Sequence, residues 1–354
     1  MRYSKLVCKI FFGIFILPLL MSCALRPSQS FIFESYDLKD NNDTYYTTDL
    51  YNPSKIQKLD PPICASGDAL SSEPTWSPNG KYYFCPTGPF YINSMNPKTL
   101  TELENDGWGF ESWSPDGQYL TIGYDGGLIT KPYFELAVIK NDGTKLTQLA
   151  KDSIAEIPFY SIWAPNGKYL AYLLDLTNQD DMLLVIVDIK GNNIARFDLR
   201  KLTNNNFNDR GYDWSPDSKK LTYLGSHGWY ILDIESGKLL NLEPNNKLCS
   251  EDTPEWSPDG EKLLLIAFNC QEIQSNDPWF VQRVYTINSD GSNLKSLTDK
   301  SVGNAHWSPD GKSIVFDKYT DQGSEIFIMN ADGTNQRNLF GNQSHLSFIQ
   351  WITP

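Results

Sequence analysis

The sequence predicts an all-β fold built from repeated four-stranded units. Three observations support this prediction: six copies of a ten-residue motif, a second turn that recurs with the copies, and short β-branched and aromatic runs bounded by Asn, Asp, Gly and Pro. Long helical periodicity is not evident along the sequence. The chain has 354 residues, of which 40% are hydrophobic, so it has enough apolar side chains for a large buried core.

The ten-residue motif begins with tryptophan and contains a Pro-Asp-Gly turn. Its last copy is WSPDGKSIVF, from Trp307 to Phe316. Successive copies begin 37, 50, 51, 42 and 51 residues apart. Because a catalytic motif is not normally written six times, we interpret it as a structural turn and expect its tryptophans to pack in the core. The six copies begin at Trp76, Trp113, Trp163, Trp214, Trp256 and Trp307.

Each unit can be divided into four strands joined by recurrent turns. In the sixth unit, Ser308-Pro309-Asp310-Gly311 has the residues of a type I turn that closes the first hairpin, with Gly in the left-handed region. A second turn at Asn330–Gly333 leads into the fourth strand. Ser218 replaces the turn glycine in the fourth copy, which predicts a strained turn there at a cost of about 1 kcal/mol.

Four-stranded repeats of this length are typical of β-propeller blades. The stretch from Trp307 to Leu339 resembles the TolB-type β-propeller repeat, a relative of the WD-repeat propellers. The resemblance extends from about residue 70 to the end of the chain. It implies a fold and leaves the function open, because one fold carries many functions.

The number of blades follows from the two ends of the chain. Six tryptophan motifs favour six blades, but Ser347–Trp351 resembles another first strand, with Trp351 at the motif position. Near the N-terminus, three stretches read as strands that lack a first strand: Phe31–Ser35, Asp43–Lys55 and the IQKLD stretch that follows directly, Ile56–Asp60. Together they predict a composite seventh blade in a single domain, residues 31–354, because closure removes exposed sheet edges. Six blades with an extended N-terminal arm is the alternative.

Residues 1–22 have the pattern of an export signal. Arg2, Lys5 and Lys9 precede an apolar run from Ile10 to Leu20, and small residues follow it. A membrane-spanning anchor is disfavoured because this run is interrupted by Pro18 and is shorter than the roughly 20 residues needed to cross a bilayer.

The end of this segment predicts a lipid anchor. Leu20–Cys23 resembles the lipobox of bacterial lipoproteins, which implies lipidation of Cys23 and a short tether at residues 23–30. Ala24 resembles the residue found in lipoproteins sent to the outer membrane. We therefore expect a location in the cell envelope, at the periplasmic face of the outer membrane or at the cell surface. Ordinary cleavage without lipidation is the alternative.

The charge of the chain excludes one class of partner. The formal net charge is −13, and removal of residues 1–22 leaves 27 basic and 43 acidic residues, a net charge of −16. Nucleic acid binding is disfavoured because phosphate contacts need clustered positive charge.

Four cysteines remain outside the export segment and the lipobox. Cys64 and Cys85 are 21 residues apart, as are Cys249 and Cys270. In an exported protein this even number predicts two disulfides, Cys64–Cys85 and Cys249–Cys270. A zinc site is the weaker alternative, because the sequence has no C-x-x-C pair and no histidine near these cysteines.

The sequence favours a binding module over an enzyme. The stereotyped turns are expected on one face of the propeller and the variable loops on the other, where partner-binding residues are expected. We predict a monomeric propeller that binds a protein or a cell-envelope ligand and needs no cofactor or metal. The partner-binding candidates are Asp277, Trp279, Phe280, Trp108, Phe110, His227 and Trp229.

Catalytic motifs are not evident in the sequence. It contains three scattered histidines and no H-E-x-x-H, G-x-S-x-G, P-loop or dinucleotide-binding motif. The alternative function is a glycan-active enzyme or lyase that uses carboxylates or a histidine-bound metal at the central channel.

Overall fold

The structure is a computed structural model of the chain. It describes residues 29–37, 42–59, 74–85, 91–95, 98–102, 108–125, 134–151, 156–176, 181–202, 207–225, 228–242, 248–250, 253–270, 282–299, 302–341 and 343–352. Within these ranges the chain is mostly strand, the helical part is one turn, α1 (Leu199–Leu202), and no helix could span a membrane. The all-β prediction is confirmed.

The described strands form seven antiparallel sheets. Sheets 1 to 6 are numbered after the six motif tryptophans, and the remaining one is called the closing sheet. The first three strands of the chain belong to the closing sheet: β1 (Ser30–Asp37), β2 (Asn42–Asp49) and β3 (Asn52–Lys58). Sheet 1 contains β4 (Thr75–Trp76), β5 (Tyr82–Cys85), β6 (Tyr91–Met95) and β7 (Lys98–Glu102). Sheet 2 contains β8 (Trp108–Trp113), β9 (Tyr119–Asp125), β10 (Phe134–Lys140) and β11 (Lys145–Lys151).

Sheets 3 to 6 follow in chain order. Sheet 3 contains β12 (Glu156–Trp163), β13 (Tyr169–Leu176), β14 (Asp181–Asp188) and β15 (Asn193–Asp198). Sheet 4 contains β16 (Phe207–Trp214), β17 (Lys220–Gly225), β18 (Gly228–Asp233) and β19 (Leu239–Asn241). Sheet 5 contains β20 (Leu248–Cys249), β21 (Glu255–Trp256), β22 (Lys262–Asn269), β23 (Arg283–Asn288) and β24 (Lys295–Ser296). Sheet 6 contains β25 (Val302–Trp307), β26 (Ser313–Thr320), β27 (Gly323–Asn330) and β28 (Arg337–Asn338), and β29 (Leu346–Trp351) returns to the closing sheet.

Each of sheets 1 to 6 is a meander in which consecutive strands pair. Sheet 5 carries a small addition, because β20 and β21 both pair with β22. The predicted division of each unit into four strands is therefore confirmed for the described residues.

The Pro-Asp-Gly turn is held by a repeated pair of side chains. In sheet 6, the Gly311 N–H donates to the Ser308 carbonyl at 2.8 Å, and Gly311 has a φ of 67°. The Ser308 hydroxyl accepts from the Ser313 N–H at 2.9 Å, and it donates to Asp310 at 2.8 Å. Asp310 in turn accepts from the Lys312 N–H at 3.1 Å. The predicted turn chemistry is confirmed.

Ser218 keeps this turn without a glycine. Its φ is 59°, in the left-handed region that side chains rarely adopt, and its N–H still donates to the Ser215 carbonyl at 2.8 Å. Its hydroxyl accepts from the Asn166 N–H of the neighbouring sheet at 3.1 Å. The serine therefore offsets part of its backbone strain with a contact between sheets that glycine cannot make.

The closing sheet joins the two ends of the described chain. β29 pairs with β1 in antiparallel register from Phe31–Trp351 to Ser35–Leu346, with a bulge after Ile32. β1 pairs with β2, and β2 pairs with β3. The predicted composite sheet, with three N-terminal strands and one C-terminal strand, is confirmed.

Apolar clusters fill the space between adjacent sheets. They join sheets 1 and 2, 2 and 3, 3 and 4, 4 and 5, 5 and 6, 6 and closing, and closing and 1, so the described sheets form a closed ring. Six motif tryptophans lie within these clusters and are 2–7% exposed, while Trp351 is half-buried against the Phe31 ring, 5.5 Å away. The tryptophans thus have the core role that the repeat predicts.

Substitution of Phe31 tests the closure of the ring directly. It is 0% exposed, and its ring lies 5.6 Å from Phe348 and 6.4 Å from Phe340. Phe31→Ala is expected to lower the free energy of unfolding by about 3–5 kcal/mol, because it leaves a cavity at the closure. Tyr36→Ala, at a 37% exposed position on the same strand, is the control for urea unfolding. Equal effects of the two substitutions would contradict the closure.

Candidate functional site

The first strands of the sheets lie at the centre of the ring. β8 approaches β12, β12 approaches β16, β16 approaches β21, and β21 approaches β25. Each of these strands pairs with a neighbour on one edge and presents its other edge to the centre. Unpaired N–H groups on that inner edge need acceptors from elsewhere.

The residue before each motif tryptophan occupies an equivalent place on these strands. It is uncharged in sheets 1 to 3 and in the closing sheet, and it is acidic or histidine in sheets 4 to 6. In ring order from sheet 1 to the closing sheet, the residues are Thr75, Ser112, Ile162, Asp213, Glu255, His306 and Gln350. Charge is therefore concentrated on one side of the centre. We call Asp213, Glu255, His306 and the nearby Asp317 the central arc.

Glu255 connects sheet 5 to sheet 6. One carboxylate oxygen accepts from the Trp307 N–H at 3.0 Å, and the other lies 2.8 Å from Nδ1 of His306. The Trp307 N–H is on the inner edge of β25, because the neighbouring Ser308 N–H donates to the β26 side. The carboxylate therefore satisfies an edge donor that no strand reaches.

Asp213 and Asp317 make equivalent contacts. Asp213, on β16, accepts from its own neighbour Trp214 N–H at 2.8 Å and from the Trp256 N–H of sheet 5. Asp317, on β26, accepts from the Phe348 N–H of the closing sheet at 3.1 Å. Three carboxylates thus act as staples, each bound to a backbone N–H on the first strand of the following sheet.

The staples differ in their access to solvent. The His306 and Glu255 side chains are 36% and 33% exposed, so a solute that enters the centre can reach them. Asp317 is only 2% exposed, and the Phe348 ring lies 4.9 Å from the His306 ring. The arc therefore has an open pair and a buried carboxyl behind it.

Burial and neighbouring charges shift the pKa values of Asp213, Asp317 and His306. Burial, together with the negative charge of Glu255, raises the pKa of Asp213 to about 7. Burial raises the pKa of Asp317 to about 7, although the Phe348 N–H and His306 favour its ionised form. For His306, burial acts to lower the pKa, but the carboxylates of Glu255 and Asp317 outweigh it and the pKa is raised.

This arrangement can exchange protons and bind a polar group. A solvent-open Glu–His pair has the groups of a general acid and base, and perturbed pKa values in a cleft are typical of functional sites. Among the residues that the structure describes, no three His, Cys, Asp or Glu side chains are grouped to hold a metal ion. The arc is thus a candidate site for hydrogen bonding or proton transfer.

Most of the predicted partner-binding residues fall outside the described ranges. Asp277, Trp279, Phe280 and His227 lie there, as do Cys23 and Cys64, so these predictions and the Cys64–Cys85 pairing stay predictions. Trp108 and Phe110 belong to β8, at the centre of the ring. The structure describes their backbone and not their side chains, so their binding role stays a prediction.

Two predictions can be compared with the structure directly. The Cys249–Cys270 disulfide is confirmed, with the Cα atoms 5.1 Å apart, and it joins β20 to the end of β22. Trp229 is 1% exposed in the cluster between sheets 4 and 5, so its indole is not a surface contact. Its role as a partner-binding candidate is corrected to a core role, because both faces of β18 are covered by neighbouring sheets.

The central arc was missed at the sequence level. The signal that could have found it is the position before each motif tryptophan, which changes from Thr, Ser and Ile to Asp, Glu and His around the ring. Spacing alone does not show that residues about 50 positions apart meet.

Glu255 is expected to maintain the charged state of His306. Glu255→Gln should lower the pKa of His306, because the opposite charge beside the imidazole is removed. The measurement is an NMR titration, which is simple to assign because the chain has three histidines. Glu325→Gln is the control, since that carboxylate binds Asn338 at 2.6 Å instead. An unchanged His306 titration in Glu255→Gln would contradict this role.

Comparison with known proteins agrees with the ring architecture. A family model described as the TolB beta propeller domain matches residues 111–353. An uncharacterized protein of Agrobacterium fabrum is 25% identical in a 265-residue alignment that covers 68% of this chain and 79% of that protein.

Solved structures show the same fold at low identity. Prolyl oligopeptidase B from Galerina marginata is 12% identical with a TM-score of 0.58, and the match covers 88% of this chain and 51% of that one. The periplasmic gluconolactonase of Pseudomonas aeruginosa is 12% identical with a TM-score of 0.52, covering 91% and 99% of the two chains. At this identity the likeness shows the fold alone. The family match covers more than half of the sequence, and the chain belongs to the TolB beta propeller domain family.

Proposed function

We propose that this protein is an exported, lipid-anchored β-propeller that binds a protein or another cell-envelope ligand. The observation that supports this most is the difference between the two faces of the ring. The turn face carries the connections from first to second strand and from third to fourth strand. The loop face carries the other connections.

Connection lengths separate the two faces. In sheets 1 to 6, each connection from the first to the second strand is five residues long. The connections from the second to the third strand, on the loop face, range from two to 13 residues. Variable loops on a rigid scaffold are where binding residues concentrate.

The turn face uses its polar groups internally. The Ala331 N–H donates to the Lys312 carbonyl at 2.9 Å, so the two turns of sheet 6 are bonded to each other. Neighbouring sheets are bonded as well, since the Asn79 amide donates to the Asp116 carbonyl at 2.9 Å. A surface whose polar groups are already paired offers few donors and acceptors to a partner.

The loop between β22 and β23 is our choice for the main contact. It is the 13-residue connection, and the Cys249–Cys270 disulfide fixes its first residue to β20. It carries Asp277, Trp279 and Phe280. Aromatic residues on a loop with an anchored base lose little conformational entropy on binding, as is typical of interface hot spots.

The proposed anchor agrees with a loop face directed away from the membrane. Gln29 precedes β1 on the turn face, where its side chain is hydrogen-bonded to the turn residue Asp310. Residues 23–28 can reach at most about 20 Å when fully extended. A lipid on Cys23 would therefore hold the turn face near the bilayer and leave the loop face free for a partner.

A photo-crosslinking amino acid at position 279 tests the contact surface. In living cells we expect a discrete adduct from position 279, because the loop that carries it is the proposed contact with the partner. The control is the same group at Lys81, which is exposed in the turn of sheet 1. Identical adducts from positions 279 and 81 would contradict the proposal. So would an adduct from position 279 that is unchanged in the double variant Asp277→Ala, Phe280→Ala.

Cys23→Ser tests the anchor. Incorporation of labelled palmitate is expected to disappear, and the protein is expected to move from the membrane to the soluble fraction, because the lipid-bearing thiol is removed. Cys8→Ser, in the same leader segment, is the matched control and should keep both label and location. Palmitate incorporation that persists in Cys23→Ser would exclude this anchor.

A further inference from the structure

The staple between sheet 6 and the closing sheet is built on a buried carboxyl group. Asp317 is 2% exposed, and its carboxylate accepts from the Phe348 N–H, which belongs to the C-terminal strand β29. The same strand pairs with β1 on its other edge. Asp317 therefore bonds directly to the strand that completes the ring.

The groups that face Asp317 are themselves titratable or polar. His306, on β25, interacts with Asp317 and also lies 2.8 Å from Glu255 of sheet 5. Asn304, also on β25, is hydrogen-bonded to Asp317. Tyr319, on β26, feels the charge of Asp317 and has a raised pKa, mainly through burial. From β29, the Phe348 N–H donates to Asp317, and the Phe348 ring lies 4.9 Å from the His306 ring.

Charge in this region changes sharply over a narrow pH range. As pH rises through about 7, the carboxyls of Asp213 and Asp317 lose their protons and each gains a negative charge. Asp317 is 2% exposed, so its ionised carboxylate is poorly solvated, and opening the contact to water relieves this cost.

We propose that Asp317 is a protonation-controlled latch, which holds the C-terminal strand β29 against sheet 6 more firmly at mildly acidic pH than at alkaline pH. The latch acts on the one place where the ring is closed by strands from the two ends of the described chain. Loosening there acts first on the contact between sheet 6 and the closing sheet.

The direction of the pH effect on stability follows from the raised pKa values. Asp213 and Asp317 have folded-state pKa values raised above the ordinary value of 3.8 to about 7. The folded state therefore binds these protons more tightly than the unfolded chain. Their stabilising contribution is complete below pH about 4 and is lost as pH rises through about 7. His306, whose pKa is also raised, acts in the same direction.

The first test is urea unfolding of the wild-type chain and of Asp317→Asn between pH 5.5 and 8. The wild-type unfolding constant is expected to rise with pH, and the rise should be at least about tenfold smaller in Asp317→Asn. Asp310→Asn is the matched control on the same sheet. The pKa of Asp310 is lowered to about 2, where burial is outweighed by hydrogen bonds from Gln29 and the turn, so its titration lies outside this window. Equal pH dependence in the wild type and Asp317→Asn would overturn the latch.

The second test uses the wild-type protein, so its outcome does not depend on whether a variant folds. Hydrogen exchange of the Phe348 amide in the wild-type protein, corrected for intrinsic rates, should show at least about fivefold less protection at pH 8 than at pH 6. The amide of Leu170, which is 0% exposed in sheet 3, should show no comparable change. Constant protection at Phe348 across this range would overturn the proposal.

Discussion

The antiparallel pairing of β29 with β1 is the constraint on which the rest of the structure depends. Every sheet in the ring buries both of its faces against neighbours, so a ring that fails to close would expose two apolar faces. The residues that pair are far apart in the chain, as Phe31 and Trp351 show. The entropy lost in this closure grows only slowly with chain length, and the aromatic rings packed around Phe31 offset it.

Closure also creates the central arc. When first strands meet at the centre, their inner-edge N–H groups have no strand partner, and water is the only alternative acceptor. In sheets 4 to 6, Asp213, Glu255 and Asp317 supply carboxylates for these groups. Asp213 and Asp317 are thus both structural staples and titratable groups whose pKa burial raises to about 7. Protonation of these two carboxyls is therefore linked to the contact between the sheets that they join.

Local features of the fold were predictable because each is encoded in a few adjacent residues. The Ser308–Gly311 turn depends on residue types that favour its own backbone angles, and the composite closing sheet followed from strand patterns at the two chain ends. Trp229 was misassigned because alternation along a strand distinguishes surface from core only when one sheet face meets water. In β18, four consecutive residues are buried. Glu255 and His306 were not predicted as a pair, since their contact depends on the angle between sheets.

Two differently built faces follow from this architecture. Short turns bonded to one another make the turn face uniform, whereas the connections from second to third strand on the loop face range from two to 13 residues. The 13-residue connection after β22 is the extreme case, and the Cys249–Cys270 bond restrains its base. Specificity in this protein is thus expected from the residues that do not repeat.

Unfolding of a chain that ends at Gly341, and so lacks β29, tests the closed ring most directly. We expect loss of the single cooperative urea transition and binding of a hydrophobic dye by the exposed faces of β1 and β26. A chain without β29 that keeps the full-length midpoint and cooperativity would contradict the closed ring.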